Sequence, residues 1–337
     1  MTGRPLQELA LIRALRRHPG PGHGVRVGIG DDCAVLEPDG TAPFLLATTD
    51  LLIEDVHFRR AYASPHDIGW KALAVNLSDI AAMGGRPRWA LVALACPAAT
   101  EASEVEAFYE AAWSLAGEHG VTIVGGDTSA SPGGWIVNVT LLGDTARAPL
   151  LRSTARVGDV VAVTGSLGAS AAGLGLLTAG EIPAGLDPTD VDAVTRAHLR
   201  PRPRLREGQW LAATGGVTAM IDLSDGLVTD LGHVAEESGA GARVDIDRIP
   251  VSAPARRVAT ARGADVLAWA TGGGEDYELL LTCDPRAWER LRDGLAAATG
   301  QPLRAIGQIV DRAAGVTFID AAGGPVALAR GFEHFAP

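Results

Sequence analysis

Strand-length and helix-length apolar segments alternate along almost the whole chain, separated by turns rich in glycine and proline. That alternation points to an α/β (or α+β) class, with sheets covered by helices. In the first half, VRVGIGDDCAVLE and FLLATTDLLIEDVHF read as two strands joined by the turn PDGTAP, and RWALVALACP, VTIVGGD and WIVNVTLLGDT as three more. In the second half, GDVVAVTG, GVTAMIDLS, the end of TGGGEDYELLLT, RAIGQIV and GVTFID read the same way. Helices are expected over 5–17, after Ser64, over EASEVEAFYEAAWSLAGEHG, and behind the strand VVAVTG. Further ones are expected over 187–206 up to the breaker PRPR, over DGLVTDLGHVAEESG and over 288–298.

Two local signals are sharper. Ser64-Pro65-His66-Asp67 is a capping-box start with proline at the first helical position. The helix DIGWKALAVNLSDIAAM follows and stops at Gly84-Gly85. In DGLVTDLGHVAEESG, Leu227, Leu231 and Val234 share one face, and Asp225 stands where it would cap the helix.

A length of 337 residues exceeds one ordinary core, and 47% apolar composition can fill two. The division falls near Pro149, giving domains over 1–149 and 150–337. Residues 160–180 carry no charge, but Gly165, Gly168, Gly173, Gly175 and Gly180 make this stretch a strand plus a small-residue helix, not a membrane span. The opening MTGRPLQELALIRALRR lacks the apolar core and cleavage site of a signal peptide, so a cytoplasmic location is expected.

The net charge of −11 disfavours nucleic acid, whose phosphates need clustered basic residues. Cys33, Cys96 and Cys283 lie far apart with no C-x-x-C spacing, which excludes a disulfide framework and a zinc site. Lys71 is the sole lysine. No G-x-x-x-x-G-K-[ST] phosphate loop can be written, and Schiff-base chemistry is excluded everywhere else. Lys71 stands two turns before Asp79 on one helix and roughly on its side, so a solvated or structural ion pair is expected of it.

The acids fall in a pattern. Asp31 and Asp32 end a glycine turn, and Asp50 ends the strand LLATTD. Asp79 lies late on a helix, Asp127 follows two glycines, and Asp222 and Asp225 bracket a strand end. Singly, each is an ordinary turn or N-cap aspartate. Together, with Gly, Ser or Thr beside them, they are the oxygen ligands that Mg²⁺ needs when it holds a substrate phosphate. The glycines allow backbone N–H groups to approach phosphate oxygens. Polyphosphate would then be bound through metal bridges, without a phosphate-loop lysine.

Taken in order, GIGDDCAVL, ATTDLLIEDVHF, KALAVNLSDIAAMGG, VGGDTS, LLRSTARVGD, HLRPRPR, IDLSDGLVTDLGH and GGGEDYELL resemble the thiamine-monophosphate kinases. That family belongs with aminoimidazole-ribonucleotide synthetase, selenophosphate synthetase and a hydrogenase maturation factor. The resemblance runs from about residue 25 to the closing GFEHF. GDD and D-x-S-D-G recur across the superfamily, whereas His57 in DVHF and Glu275 in GGEDYE mark the kinase.

The resemblance implies a two-domain aminoimidazole-ribonucleotide synthetase-like fold and a homodimer. The N-terminal domain, with a mixed sheet that forms a barrel across the dimer, would bind ATP and metal. The C-terminal α/β domain would complete the nucleotide and substrate site. It also implies transfer of the γ-phosphoryl of ATP to thiamine monophosphate, assisted by several Mg²⁺ ions. The metal ligands it carries over are Asp32, Thr48, Thr49, Asp50, Asp79, Asp127, Asp222 and Asp225. ATP contacts fall to Gly126, Asp127, Arg152 and Ser224, and thiamine phosphate contacts to His57, Glu275 and Phe332. Asp31 has no assigned role, and Cys33 is read as structural. The acceptor is a phosphate oxygen already deprotonated near neutral pH, so direct in-line transfer without a nucleophilic side chain is expected. Two other readings compete: a superfamily cyclo-ligase with a different acceptor pocket, and a nucleotide-binding module without catalysis.

Overall fold

A computed structural model describes residues 25–27, 31–36, 44–329 and 331–332. The helix expected over 5–17 and the turn PDGTAP lie outside the described residues. The first half carries β1 (Val25–Val27), β2 (Ala34–Leu36), β3 (Phe44–Ile53), α1 (Pro65–Ala82), β4 (Arg86–Pro97), α2 (Ala102–His119), β5 (Thr122–Ser131) and β6 (Ile136–Thr145). These strands form one sheet in the order β1-β2-β3-β6-β4-β5, antiparallel except for the β4–β5 pair. VRVGIGDDCAVLE is therefore not one strand but two short ones, with Asp31 and Asp32 just before the second.

The second half carries β7 (Val160–Thr164), α3 (Ala169–Ala179), α4 (Pro188–Leu199), α5 (Leu205–Thr214), β8 (Val217–Asp222) and α6 (Leu227–Ser238). β9 (Gly241–Asp245), α7 (Ala253–Arg262), α8 (Val266–Gly272), β10 (Leu279–Cys283), α9 (Trp288–Thr299), β11 (Leu303–Val310) and β12 (Val316–Ile319) follow. Its sheet runs β12-β9-β11-β7-β10-β8, with only β12 and β9 parallel. The uncharged stretch over 160–180 resolves into β7 and α3. Among the described residues no helix is long and apolar enough to cross a membrane. PRPR does break the helical run, but a separate helix, α5, starts at Leu205 behind it. β9, α7 and α8 have no counterpart in the sequence reading.

Helix α1 is the spine between the halves. Ser64 and Asp67 form the expected capping box, with Pro65 in the first turn. Its apolar residues are buried all round, from Ile68 and Leu73 to Leu77 and Ile80, as befits a helix with no solvent face. One side packs on β3 and β6 and another on α2. There Gly69 is obligatory, since a Cβ would stand 2.0 Å from the Phe108 carbonyl oxygen. Towards the second half, α1 meets α5 and β8. One apolar cluster runs through Leu73, Leu77 and Ile80 into Leu211, Met220 and Leu279. The two halves thus share a core, and polar groups placed on α1 can reach both.

Candidate active site

Three carboxylates meet beside the C-terminal half of α1. Asp32 from the β1–β2 bend, Asp79 from α1 and Asp222 from the end of β8 have oxygens within 4.8 Å of one another. Each is positioned by a hydroxyl or a guanidinium. Thr48 on β3 donates to Asp79, Ser78 donates to Asp222 at 2.6 Å, and Arg152 pairs with Asp32. Arg152 also holds Asp31 at 3.3 Å, and its backbone N–H reaches the other Asp31 oxygen at 3.1 Å. Asp31, unassigned by sequence, is thus an orienting partner of Arg152. Thr48 and Asp50 project from the same, inner face of β3, two residues apart.

These groups repel one another. Burial, reinforced by Asp222 and Asp225, pushes the Asp50 carboxyl up to about 7. Burial and neighbouring carboxylates hold Asp79 far above its ordinary value. Asp32 is also far above, although Arg152 opposes the rise. One oxygen of Asp32 and one of Asp50 are buried without a hydrogen-bond partner. Orphaned carboxylate oxygens beside three convergent carboxylates fit a set of hard divalent cations, because a buried anionic oxygen needs a partner. Cys33 lies against this cluster, and burial with the surrounding carboxylates drives its thiol far up, so it stays protonated and inert.

A second acidic group lies at the start of α6, where Asp225, Asp230 and His233 bring ligand atoms within 4.8 Å. Here the sequence expectation for Asp225 is corrected. The α6 N-cap is Gly226, with no side-chain cap. It is the buried Asp230 that accepts from the N–H groups of Asp225 and Gly226, at 3.2 and 3.0 Å.

A cleft of about 500 Å³ opens beside Asp50 and Asp225 and brings together His57, Ser224, Glu275 and Phe332, with Lys71, His198 and Tyr62 in its wall. A second groove, of about 600 Å³ and lined by Arg204, Arg256 and Arg304, holds none of the expected site residues. His57 Nδ1 accepts from the Ile53 N–H at 3.0 Å, which leaves the proton of the neutral ring on Nε2. The loop 273–277 is tied down by Glu275 N–H to the Ser224 carbonyl at 2.7 Å and by Tyr277 N–H to the Leu223 carbonyl at 2.9 Å. Glu275 and Tyr277 take left-handed backbone angles, φ +56° and +49°, a strain that marks a site held in shape by its surroundings. Phe332 is half exposed and reaches the cleft because Gly331 lies on the Asp225 carbonyl, where a Cβ would come within 1.7 Å.

Three expected ligands stand apart from the carboxylate group, although Thr49 still lines the cleft. The Thr49 hydroxyl projects from the outer face of β3, where it donates to the Val139 carbonyl at 3.1 Å. Gly126 and Asp127 are exposed on the edge strand β5, three strands from β3, which is about 14 Å at the usual strand spacing. Gly126 also has a local reason to be glycine: its φ is +153° and a Cβ would strike the Val92 carbonyl at 1.7 Å. The ion pair expected of Lys71 is present and is the structural one of the two kinds. Its ammonium is buried and pairs with Glu275 at 2.5 Å, not with Asp79. Sequence reasoning missed Ser78, Asp230, His233 and His198. For Asp230 and His233 a signal existed: they stand three apart on α6, one turn behind Asp225.

The chain matches two family models, "AIR synthase related protein, N-terminal domain" over residues 30–145 and the C-terminal domain of the same description over 156–320. The thiamine-monophosphate kinase of Salmonella typhimurium (strain LT2) is 41% identical over 317 residues, 93% of each chain. That of Bacillus subtilis (strain 168) is 36% identical over 308 residues, 91% of this chain and 92% of its own. Among solved structures, AaThiL complexed with AMPPCP and TMP superposes with a TM-score of 0.85 at 33% identity, covering 99% of this chain and all of its own. The hydrogenase maturation protein HypE, at 23% identity and a TM-score of 0.71, shares the fold.

Proposed function

The chain belongs to the AIR synthase related family and, within it, to the thiamine-monophosphate kinases, and from this membership we propose how its site works. The reaction transfers the γ-phosphoryl group of ATP to thiamine monophosphate and yields thiamine diphosphate. One observation carries the site assignment: Asp50, with an orphaned oxygen, lines the same cleft as Asp225, His57, Glu275 and Phe332.

Asp32, Asp50, Asp79 and Asp222 would hold Mg²⁺, with Thr48 and Ser78 fixing the rotamers of Asp79 and Asp222. Asp225, with Asp230 and His233 behind it, would extend the set towards the cleft. Bound there, Mg²⁺ supplies the charge neutralisation that two facing phosphates require. Arg152 offers a guanidinium for a phosphate once metal satisfies Asp32. Ser224 lines the cleft, where ATP can reach it. His57, as an Nε2–H donor, suits an acceptor phosphate oxygen, Glu275 a donor or cation on the vitamin, and Phe332 its ring face. The acceptor oxygen is anionic already, so the residues position and none attacks. Transfer is direct and in line, and no phosphoprotein accumulates.

We assign the assembly to a homodimer closed through the outer face of the first sheet. Leu51, Trp89, Leu91 and Ile136 project from that face and are exposed in the single subunit. Asp127 lies on it too, opposite Ala93, so with Gly126 it is assigned to the assembled pair. Dependence on ATP places the enzyme in the cytoplasm. The test is incubation of the purified chain with ATP, Mg²⁺ and either thiamine monophosphate or thiamine. Thiamine diphosphate from the monophosphate alone is expected; its absence refutes the assignment. A monomer by sedimentation refutes the dimer.

A further inference from the structure

Apart from the capping Asp67, the sole lysine is the charged residue of α1 that the phosphoryl-transfer reading leaves unused. Its side chain is 4% exposed, a setting that a lysine keeps only with a partner close by. Lys71 Nζ lies 2.5 Å from one Glu275 oxygen and donates to the His57 carbonyl at 3.4 Å. The second Glu275 oxygen lies 3.2 Å from His198 Nδ1, and Ser170 Oγ is 3.1 Å from that same nitrogen. One ammonium from the first half therefore ties together two residues that face the acceptor side of the cleft. His57 comes from the loop behind β3, and Glu275 from a loop of the second half.

We propose that Lys71 and His198 are positioning residues for acceptor recognition: they hold Glu275 as an oriented anion against the cationic or proton-donating part of the acceptor. This rests on the functional reading above and deepens it. Two partners fix the carboxylate plane, the left-handed backbone at Glu275 aims it, and a quarter of the side chain remains open to the cleft. Burial alone would raise the carboxyl, but Lys71 and the His198 hydrogen bond bring it down to about 2. The Tyr62 and Tyr277 hydroxyls also face it, their ionisation pushed up by burial, and His57, Asp50 and Asp225 line the same cleft. Arginine would not serve here, since its wide fork does not fit a point contact between a carboxylate and a backbone carbonyl. That accounts for a lysine in a chain otherwise built with arginine.

The experiment compares wild type with Lys71→Met, Glu275→Gln and the double variant, measuring KM for each substrate between pH 5.5 and 8.5. Lys71→Met should raise KM for thiamine monophosphate on the order of tenfold or more while KM for ATP stays within about twofold. The ratio of its acceptor KM to that of wild type should grow as pH falls, because the released carboxyl now protonates. A purely structural lysine would not move that ratio. The double variant should match Glu275→Gln alone, and it decides the matter if Lys71→Met does not fold. An unchanged acceptor KM in Lys71→Met, KM values for both substrates rising together, or a double variant far worse than Glu275→Gln overturns the proposal. Wild type that forms no thiamine diphosphate refutes the functional reading instead, a result that no Lys71 outcome can mimic.

Discussion

The two ends of the cleft solve the problem of buried charge in opposite ways, and both solutions hang on α1. At Ser78 and Asp79 the helix enters a group of carboxylates that, among the described residues, pairs with Arg152 alone and keeps oxygens without a partner. Two turns earlier, Lys71 enters a cluster in which each oxygen of Glu275 has a partner. The first set raises its own carboxyls and the second lowers one. Unbalanced charge is useful where a cation must come and go with the nucleotide, balanced charge where a rigid recognition group must persist through every turnover. Neutralising one residue in each cluster should therefore have opposite effects on the metal-free protein.

The largest effect is expected at Asp50. Asp50→Asn removes one anionic ligand and should lower kcat by on the order of a hundredfold to a thousandfold with ATP binding retained. Without Mg²⁺ the same variant should melt above wild type, because it relieves repulsion in the carboxylate group. Wild-type turnover, or a lower melting temperature in EDTA, would contradict the metal assignment. Lys71→Met comes next. Leaving Glu275 half-paired should cost about 3 kcal/mol of stability, towards the low end for a broken buried pair because its side chain keeps some solvent. Urea unfolding of the metal-free protein reads it, and a variant as stable as wild type would erase the contrast.

A third test uses pH. The Asp50 carboxyl is raised to about 7 from an ordinary value near 4. Its contribution to stability is complete below pH 4 and is lost as pH rises through 7, since folding then forces a charge into the cluster. Glu275 has the opposite sign: lowered to about 2, it stabilises above pH 4 to 5, and that support is lost as pH falls through 2. Mg²⁺ should accordingly raise the melting temperature by several degrees at pH 8 and by much less at pH 5.5. Equal increments at both would show that the carboxylates are not what the metal relieves.

Which parts of this were legible beforehand follows from the range of the interactions. Local signals survived folding: the Ser64–Asp67 capping box, the apolar face of Leu227, Leu231 and Val234, and the break at Gly84-Gly85. The gathering of Asp32, Asp79 and Asp222 was suggested by the pattern of acids at element ends and specified residue by residue through resemblance, because their separation in sequence fixes no distance. Side-chain direction and long-range pairing were not legible. Thr49 turns its hydroxyl to the opposite face of β3 from Thr48 and Asp50, because successive strand residues alternate. Lys71 meets Glu275 across more than two hundred residues, where helical spacing had suggested Asp79. At the start of α6 it is Asp230, from inside the helix, that accepts from the Asp225 and Gly226 N–H groups.

The smallest effect tests the contrast at its finest grain. Ser78 and Thr48 touch the carboxylate group only as hydrogen-bond donors, so they orient it without balancing its charge. Ser78 is fully buried, and its hydroxyl donates to Asp222 at 2.6 Å. That bond is one of the forces holding the Asp222 carboxyl down against burial, alongside Arg152. Ser78→Ala removes the bond and leaves a small void, at a cost of about 1 to 2 kcal/mol. With Mg²⁺ present the metal takes over the orientation of Asp222, so the loss should shrink, and kcat should fall only several-fold. The apparent Mg²⁺ requirement should rise, because Asp222 must first lose a proton it now holds more tightly. If Ser78→Ala instead lowers kcat as far as Asp50→Asn does, orientation matters here as much as charge, and the distinction between the two ends of the cleft is one of geometry, not electrostatics.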